Sequence, residues 1–125
     1  MMTIVRIATR NSELALAQAR FIAAEIERKL GAKTELLSMT TSGDRTLGSL
    51  SKAGGKGLFA KEIQEALLEG RADIAVHSAK DLPAAMPEAL ELVAFPERQD
   101  PRDALVGRER GASIAGLPSG ARIGP

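Results

Sequence analysis

A hydroxyl, an ammonium and a carboxylate fall within four consecutive residues, Ser78-Ala-Lys-Asp81. Before them stands Ile74-Ala-Val76, short, apolar and partly β-branched, with Gly70, Arg71 and Asp73 ahead of it. This pattern predicts a strand buried on both faces of a parallel sheet. Pro83 stops regular structure soon after. Ligands of open α/β sheets collect outside the carboxyl ends of the strands, so Ser78, Lys80 and Asp81 are candidate site residues. The plainer reading is a polar strand exit with Lys80 and Asp81 solvated.

Other polar groups fall at comparable places. Val5–Thr9 predicts an opening strand, and Arg10 and Ser12 follow it. Asn11 or Ser12 can cap the next helix. Ala15, Ala19, Ile22, Ile26 and Leu30 recur at steps of three and four, an apolar stripe that Gly31 closes. Thr34–Met39 predicts a second strand, completing a βαβ unit. Thr40–Gly57 is Gly-rich and lacks periodicity, so it reads as a lid or binding loop, with Thr41–Gly55 its most mobile part and Lys52 and Lys56 at its far end. Leu58–Glu69 predicts a helix with Phe59, Ile63, Ala66 and Leu67 on its buried side.

If the strands are parallel, Arg10, Ser12, Lys52, Lys56, Ser78, Lys80 and Asp81 meet at one sheet edge, where helix N-termini add N–H donors. The result is a cationic cleft holding one carboxylate, suited to a small ligand with several carboxylates or phosphates. An acid among cations is a place for proton chemistry or for partnering a developing positive charge. The plainer reading makes Arg10 a surface cation and Lys52 and Lys56 solubilising charges. Gly54-Gly-Lys-Gly57 lacks the spacing of a nucleotide-binding P-loop. His77 alternates with Val76 and reads as a satisfied core histidine.

Composition narrows the classes. The chain has 125 residues, 44% apolar and 26% charged, enough for one modest domain or part of a larger one. Three Phe are its only aromatics and its net charge is +1, which argues against nucleic acid as a partner. With no Cys and one His, these residues offer no disulfide, no cysteine nucleophile and no zinc site. No apolar run approaches the roughly 18 residues of a membrane span, and no secretion signal opens the chain. The cytoplasm is the expected location.

After Pro83, Leu90–Phe95 predicts a strand, and Pro96–Asp103 a charged, proline-bearing linker or hinge. Ala104–Val106 reads as a short strand, and Ala121–Gly124 as the start of another. An end in mid-element points to a truncated protein.

The order of these segments resembles the hydroxymethylbilane synthase family, also called porphobilinogen deaminase. The resemblance rests on Arg6-Ile-Ala-Thr-Arg-Asn-Ser12, Gly43-Asp44, Gly54-Gly-Lys-Gly-Leu-Phe59 with Lys61-Glu62, and Ala72-Asp-Ile-Ala-Val-His-Ser-Ala-Lys-Asp-Leu-Pro83. It continues through Glu97-Arg98, Asp100-Pro-Arg-Asp-Ala104, Leu117-Pro118, Gly120 and Ile123-Gly124. The segment around Ser78–Asp81 is the most specific of these.

The resemblance implies a three-domain transferase whose first two domains are lobes of a type II periplasmic-binding-protein-like fold, with a mixed, mostly parallel sheet flanked by helices. Residues 1–97 would be lobe one, and residues 98–125 the hinge and truncated beginning of lobe two. Such enzymes join four porphobilinogen molecules into hydroxymethylbilane in tetrapyrrole biosynthesis, releasing ammonia each time. The product grows on a dipyrromethane cofactor bound covalently to a cysteine of the third domain. By resemblance, Asp81 is the catalytic aspartate, with Lys56 and Lys80 also at catalytic positions. Arg10 and Gln18 match substrate-contacting positions. Ser12, Ser78 and Lys80 match cofactor-binding ones, and Lys52, Lys56 and Phe59 the mobile loop and its base. No metal is implied, and the full enzyme is expected to be a monomer.

Pro125 stands where the family has the Thr of a Gly-Thr-Ser-Ser-Leu-Arg-Arg segment, and the chain stops there. Glu13 replaces a frequent Pro, acceptably at a helix N-terminus. The chain alone is therefore expected to be inactive. The alternative is a non-catalytic anion- or solute-binding α/β lobe, which would not require an aspartate beside its lysine.

Overall fold

The computed structural model describes residues 3–41 and 59–124. Strand β1 (Ile4–Arg10) leads to helix α1 (Glu13–Leu30) and strand β2 (Lys33–Met39). Helix α2 (Lys61–Leu68) and the short strand β3 (Ile74–Ala75) follow. Single 3-10 turns occupy Ala79–Asp81 and Ile114–Gly116. The sheet has the order β2-β1-β3, and both pairings are parallel. The expected α/β architecture is present as a small parallel sheet between helices.

The register explains how so few strands bury two faces. Ile7 stands beside Leu36 on one side and Ile74 on the other, while Ala8 stands beside Leu37 and Ala75. Side chains alternate along a strand. Ile7, Leu36 and Ile74 therefore pack with Ala19 and Ala23 of α1. Ala8, Leu37 and Ala75 pack with Ile63 and Ala66 of α2. β1 is the central strand, and its Ile7, Ala8 and Thr9 are fully buried.

Local signals set the ends of α1. The Ser12 Oγ accepts from Ala15 N at 3.3 Å, an N-cap that satisfies one otherwise unpaired helix donor. At the other end Gly31 adopts φ 64° and its N–H reaches Glu27 O at 3.0 Å, the left-handed closure that glycine makes without strain. Leu30, placed on the apolar stripe by its spacing, is exposed, and Ala23 is buried in the stripe instead. The helix ends there, beyond the sheet it covers.

β1 is also tied to the α2–β3 connection. Arg6 donates to both carboxylate oxygens of Asp73, through Nε at 3.0 Å and Nη2 at 2.8 Å, and to Gly70 O at 2.8 Å. The backbone N–H of Arg6 donates to Asp73 Oδ2 at 2.8 Å as well. This fork geometry holds the Asp73 carboxyl down at about 2.

The chain divides into two compact units, Met1–Leu92 and Val93–Pro125. Three expected strands are absent, at Leu90–Phe95, Ala104–Val106 and Ala121–Gly124. An extended apolar run becomes a strand only when a neighbour completes its ladder, and among the described residues none of these runs has one. Val93, Phe95 and Val106 are accordingly 78%, 74% and 92% exposed. The second unit is shaped by local contacts instead, such as the Arg102–Asp100 ion pair and the Ser113 hydroxyl that caps the turn at Gly116.

The expected helix over Leu58–Glu69 is shorter, Lys61–Leu68, because Phe59 and Ala60 form the turn that enters it. Residues 42–58, with the expected lid and its Lys52 and Lys56, lie outside the described residues. No helix among the described residues is long and apolar enough to cross a membrane.

Candidate functional site

β1 and β3 run parallel and stop at the same edge of the sheet. Beyond that edge lies an open cleft of about 160 Å³ within the first unit. β1 contributes Arg10 to its wall, the start of α1 contributes Ser12, Leu14, Ala15 and Gln18, and the exit from β3 contributes Val76, His77, Ser78, Lys80 and Asp81. Phe59, at the entry to α2, completes it. The structure thus brings Arg10, Ser12, Gln18, Phe59, Ser78, Lys80 and Asp81 together, although the sequence separates the first and last by 71 positions.

Three contacts organise the wall. Arg10 Nη1 lies 3.6 Å from Asp81 Oδ2, with each side chain one-fifth exposed. The Arg10 guanidinium also sits over the Phe59 ring, 4.1 Å from its centroid, within the range of a cation–π contact. Gln18 Nε2 donates to Ser78 Oγ at 3.2 Å, and that hydroxyl donates to Gln18 Oε1 at the same distance. This pair links α1 to the β3 exit.

Backbone bonds fix where these groups start. Asp73 N donates to Arg6 O and Val76 N to Ala8 O, which carry β3 along β1 up to the cleft. The 3-10 turn that follows, closed by Asp81 N to Ser78 O at 3.0 Å, presents Lys80 and Asp81 together. On the other side, the buried Thr9 hydroxyl lies 3.3 Å from Ala15 O and pins the end of β1 to the first turn of α1. Asn11 N bonds Met39 O at 3.1 Å, and Asn11 Nδ2 donates to Thr40 Oγ1 at 3.0 Å.

His77 corrects the expectation of a satisfied core histidine. It lines the cleft, partly exposed, and among the described residues neither ring nitrogen has a hydrogen-bond partner. β3 ends at Ala75, so strand alternation no longer governs positions 76–78, and Val76, His77 and Ser78 all reach the cleft. Burial pushes the imidazole below its ordinary value and Arg10 adds to that, while Asp81 opposes it. The neutral ring is therefore favoured, and among the described residues the cleft carries two cationic side chains and one carboxylate beside it.

The donor set suits a ligand that combines carboxylates with flat apolar rings. Lys80 stands exposed at the rim, and the hydroxyls of Ser12 and Ser78 lie within. The N-terminus of α1 adds a positive dipole end. Leu14, Ala15, Phe59 and Val76 offer apolar surface to ring faces, and Asp81 can accept from a ring N–H. The volume is below the roughly 300–1,000 Å³ of pockets that enclose a whole small molecule, so the cleft formed by the described residues has room for only part of such a ligand. Among the described residues no group of His, Cys, Asp and Glu could hold a metal ion.

Comparison with known proteins gives a consistent match. The chain is 52% identical over 122 residues to a protein of Geobacter metallireducens named porphobilinogen deaminase, covering 96% of this chain and 38% of that relative. Porphobilinogen deaminases of Geobacter sulfurreducens and Geotalea uraniireducens are each 51% identical over the same length. The chain therefore spans 38% of the length of these relatives. The family profile described as porphobilinogen deaminase, dipyromethane cofactor binding domain, matches residues 5–125. Matched over nearly its whole length, the chain belongs to the porphobilinogen deaminase family.

Proposed function

We propose that this chain supplies one wall of the active site of an enzyme that joins porphobilinogen units into hydroxymethylbilane with loss of ammonia. The observation that carries this reading is the meeting of Arg10, Lys80 and Asp81 in one cleft beside Ser12 and Ser78. Porphobilinogen carries acetate and propionate groups, which need the cations. Loss of ammonia leaves positive charge on the pyrrole, which needs the carboxylate. A simple anion-binding lobe would gain nothing from Asp81.

Each residue has a task on this reading. Arg10 and Gln18 contact the substrate, Arg10 through its carboxylates. Ser12, Ser78 and Lys80 hold carboxylates and ring edges of dipyrromethane, a group that the cleft's cations, hydroxyls and apolar patches fit. When bound, that group supplies the primer on which the units are joined. Asp81 faces the pyrrole as the C–N bond breaks, with the bonding electron pair leaving on nitrogen. Its carboxylate stabilises the charge left behind and takes the proton lost from the attacked ring after the new C–C bond forms. By resemblance, Lys52, Lys56 and Phe59 match the family's mobile-loop positions and its base, and Lys56 a catalytic position, while Lys80 supports Asp81 by its positive charge.

Residues 1–97 are read as lobe one of a type II periplasmic-binding-protein-like fold, with residues 98–125 as hinge and the beginning of lobe two. The complete enzyme is read as a cytoplasmic monomer without nucleic-acid or membrane partners, in keeping with a net charge of +1 and three aromatic residues. The 125 residues contain no cysteine, so covalent attachment of dipyrromethane lies outside them, and this chain alone is inactive.

The test uses the full-length polypeptide that carries this chain, incubated with porphobilinogen. One ammonia released per porphobilinogen consumed, with hydroxymethylbilane as product, is the expected result. Binding of porphobilinogen without ammonia release would favour the solute-binding lobe instead.

A further inference from the structure

His77 has no task in the reading above, yet it lines the same cleft. Its neighbours explain why it is available. Among the described residues, the charged groups that line the cleft with it are Arg10 from β1 and Lys80 and Asp81 from the 3-10 turn. α1 offers only neutral residues there, and the entry to α2 offers the Phe59 ring. No partner among the described residues occupies its ring nitrogens. A half-buried imidazole with open nitrogens is able to meet a ligand directly.

We propose that His77 is a ligand-contacting residue of this cleft and that it takes up a proton when a carboxylate ligand binds beside Arg10 and Lys80. The proposal rests on the reading of the cleft as a carboxylate-ligand site. Without ligand, burial and, to a lesser degree, the Arg10 guanidinium favour the neutral ring, while Asp81 opposes them. An added carboxylate neutralises that guanidinium and brings negative charge close, which favours the imidazolium. The imidazolium donates from both nitrogens, where the neutral ring donates from one and accepts at the other. Binding and proton uptake are then linked. The ligand's own carboxylates titrate well below this range. The sign follows: the titration midpoint rises on binding, so affinity is greatest below the free midpoint and falls as pH rises through the bound one.

His77 is the only histidine of the chain, so its imidazole signals in a nitrogen-labelled sample are unambiguous. The experiment titrates pH with and without porphobilinogen, following the imidazole and the backbone amides of Arg10 and Lys80. The imidazole midpoint should rise by about half to one pH unit, and the Kd at pH 6 should be about two- to fivefold tighter than at pH 8. His77→Gln, which hydrogen-bonds but takes no proton, should abolish that pH dependence. Shifts at the Arg10 and Lys80 amides with an unmoved imidazole midpoint would overturn the role of His77 and leave the cleft reading standing. No shift at any of these groups would overturn both.

Discussion

Arg10 and Asp81 face each other across the edge of the sheet with 3.6 Å between Nη1 and Oδ2. That separation lies within ion-pair range and just beyond a hydrogen bond. On the proposed reading, a ligand carboxylate would compete with Asp81 for the Arg10 guanidinium. The Phe59 ring lies against that guanidinium, its centroid 4.1 Å from the guanidinium carbon, and helps to hold Arg10 in place.

The first prediction concerns Asp81. In the full-length enzyme, Asp81→Ala should lower turnover of porphobilinogen by at least about a hundredfold, the scale for losing a charge-stabilising group. Its circular dichroism spectrum should match the parent. Asp81→Glu should keep a small activity, since the charge remains but is displaced. Near-normal turnover in the Ala variant would exclude the assigned role.

Arg10→Lys separates charge from shape. Lysine keeps the positive charge but lacks the planar fork and stacks less well on Phe59. With such a contact contributing roughly 0.5–2 kcal/mol, the affinity for porphobilinogen should fall by about 2- to 30-fold. Isothermal titration reads this directly, and an unchanged Kd would mean that Arg10 acts as a point charge.

Ser12 has two tasks that a pair of variants can divide. Ser12→Ala removes the cap on α1 and should cost about 1 kcal/mol, seen as a lower thermal midpoint. Ser12→Asp should restore that midpoint, because aspartate caps as well as serine. It should still weaken binding of a carboxylate ligand by placing negative charge in the cleft. Equal binding by the parent and the Asp variant would remove Ser12 from the site.

Acid should weaken the clamp between β1 and the α2–β3 connection. The hydrogen bonds from Arg6 hold the Asp73 carboxyl near 2, below its ordinary 3.8. A carboxylate with a depressed value stabilises the fold fully above its unfolded value and loses that contribution as pH falls towards the folded one. Thermal midpoints measured from pH 5 to pH 2 should therefore fall less steeply for Asp73→Asn than for the parent. Parallel curves would mean that the clamp is energetically silent.

The sequence alone determined much of the first unit. Ser12 and Gly31 mark the ends of α1 because capping is local chemistry between a side chain or a glycine and the nearest turn. Val5–Thr9 reads as an opening strand and the short apolar run Ile74–Val76 as one buried on both faces, and strands stand there at Ile4–Arg10 and Ile74–Ala75. Strands of one direction put their ends on one edge, so the order of the segments alone gathers Arg10, Ser12, Ser78, Lys80 and Asp81 there. Tertiary structure decided what depends on partners. Leu90–Phe95 has the composition of a strand, but no neighbouring ladder among the described residues makes it one. Gln18 meets Ser78 only because α1 packs across the exit of β3. His77 faces the cleft rather than the core because β3 ends two residues earlier and frees the backbone from alternation. Spacing along a chain carries periodicity and capping, but where strand pairing stops is a tertiary matter: β1 runs on to Arg10 while β3 leaves it after Ala75.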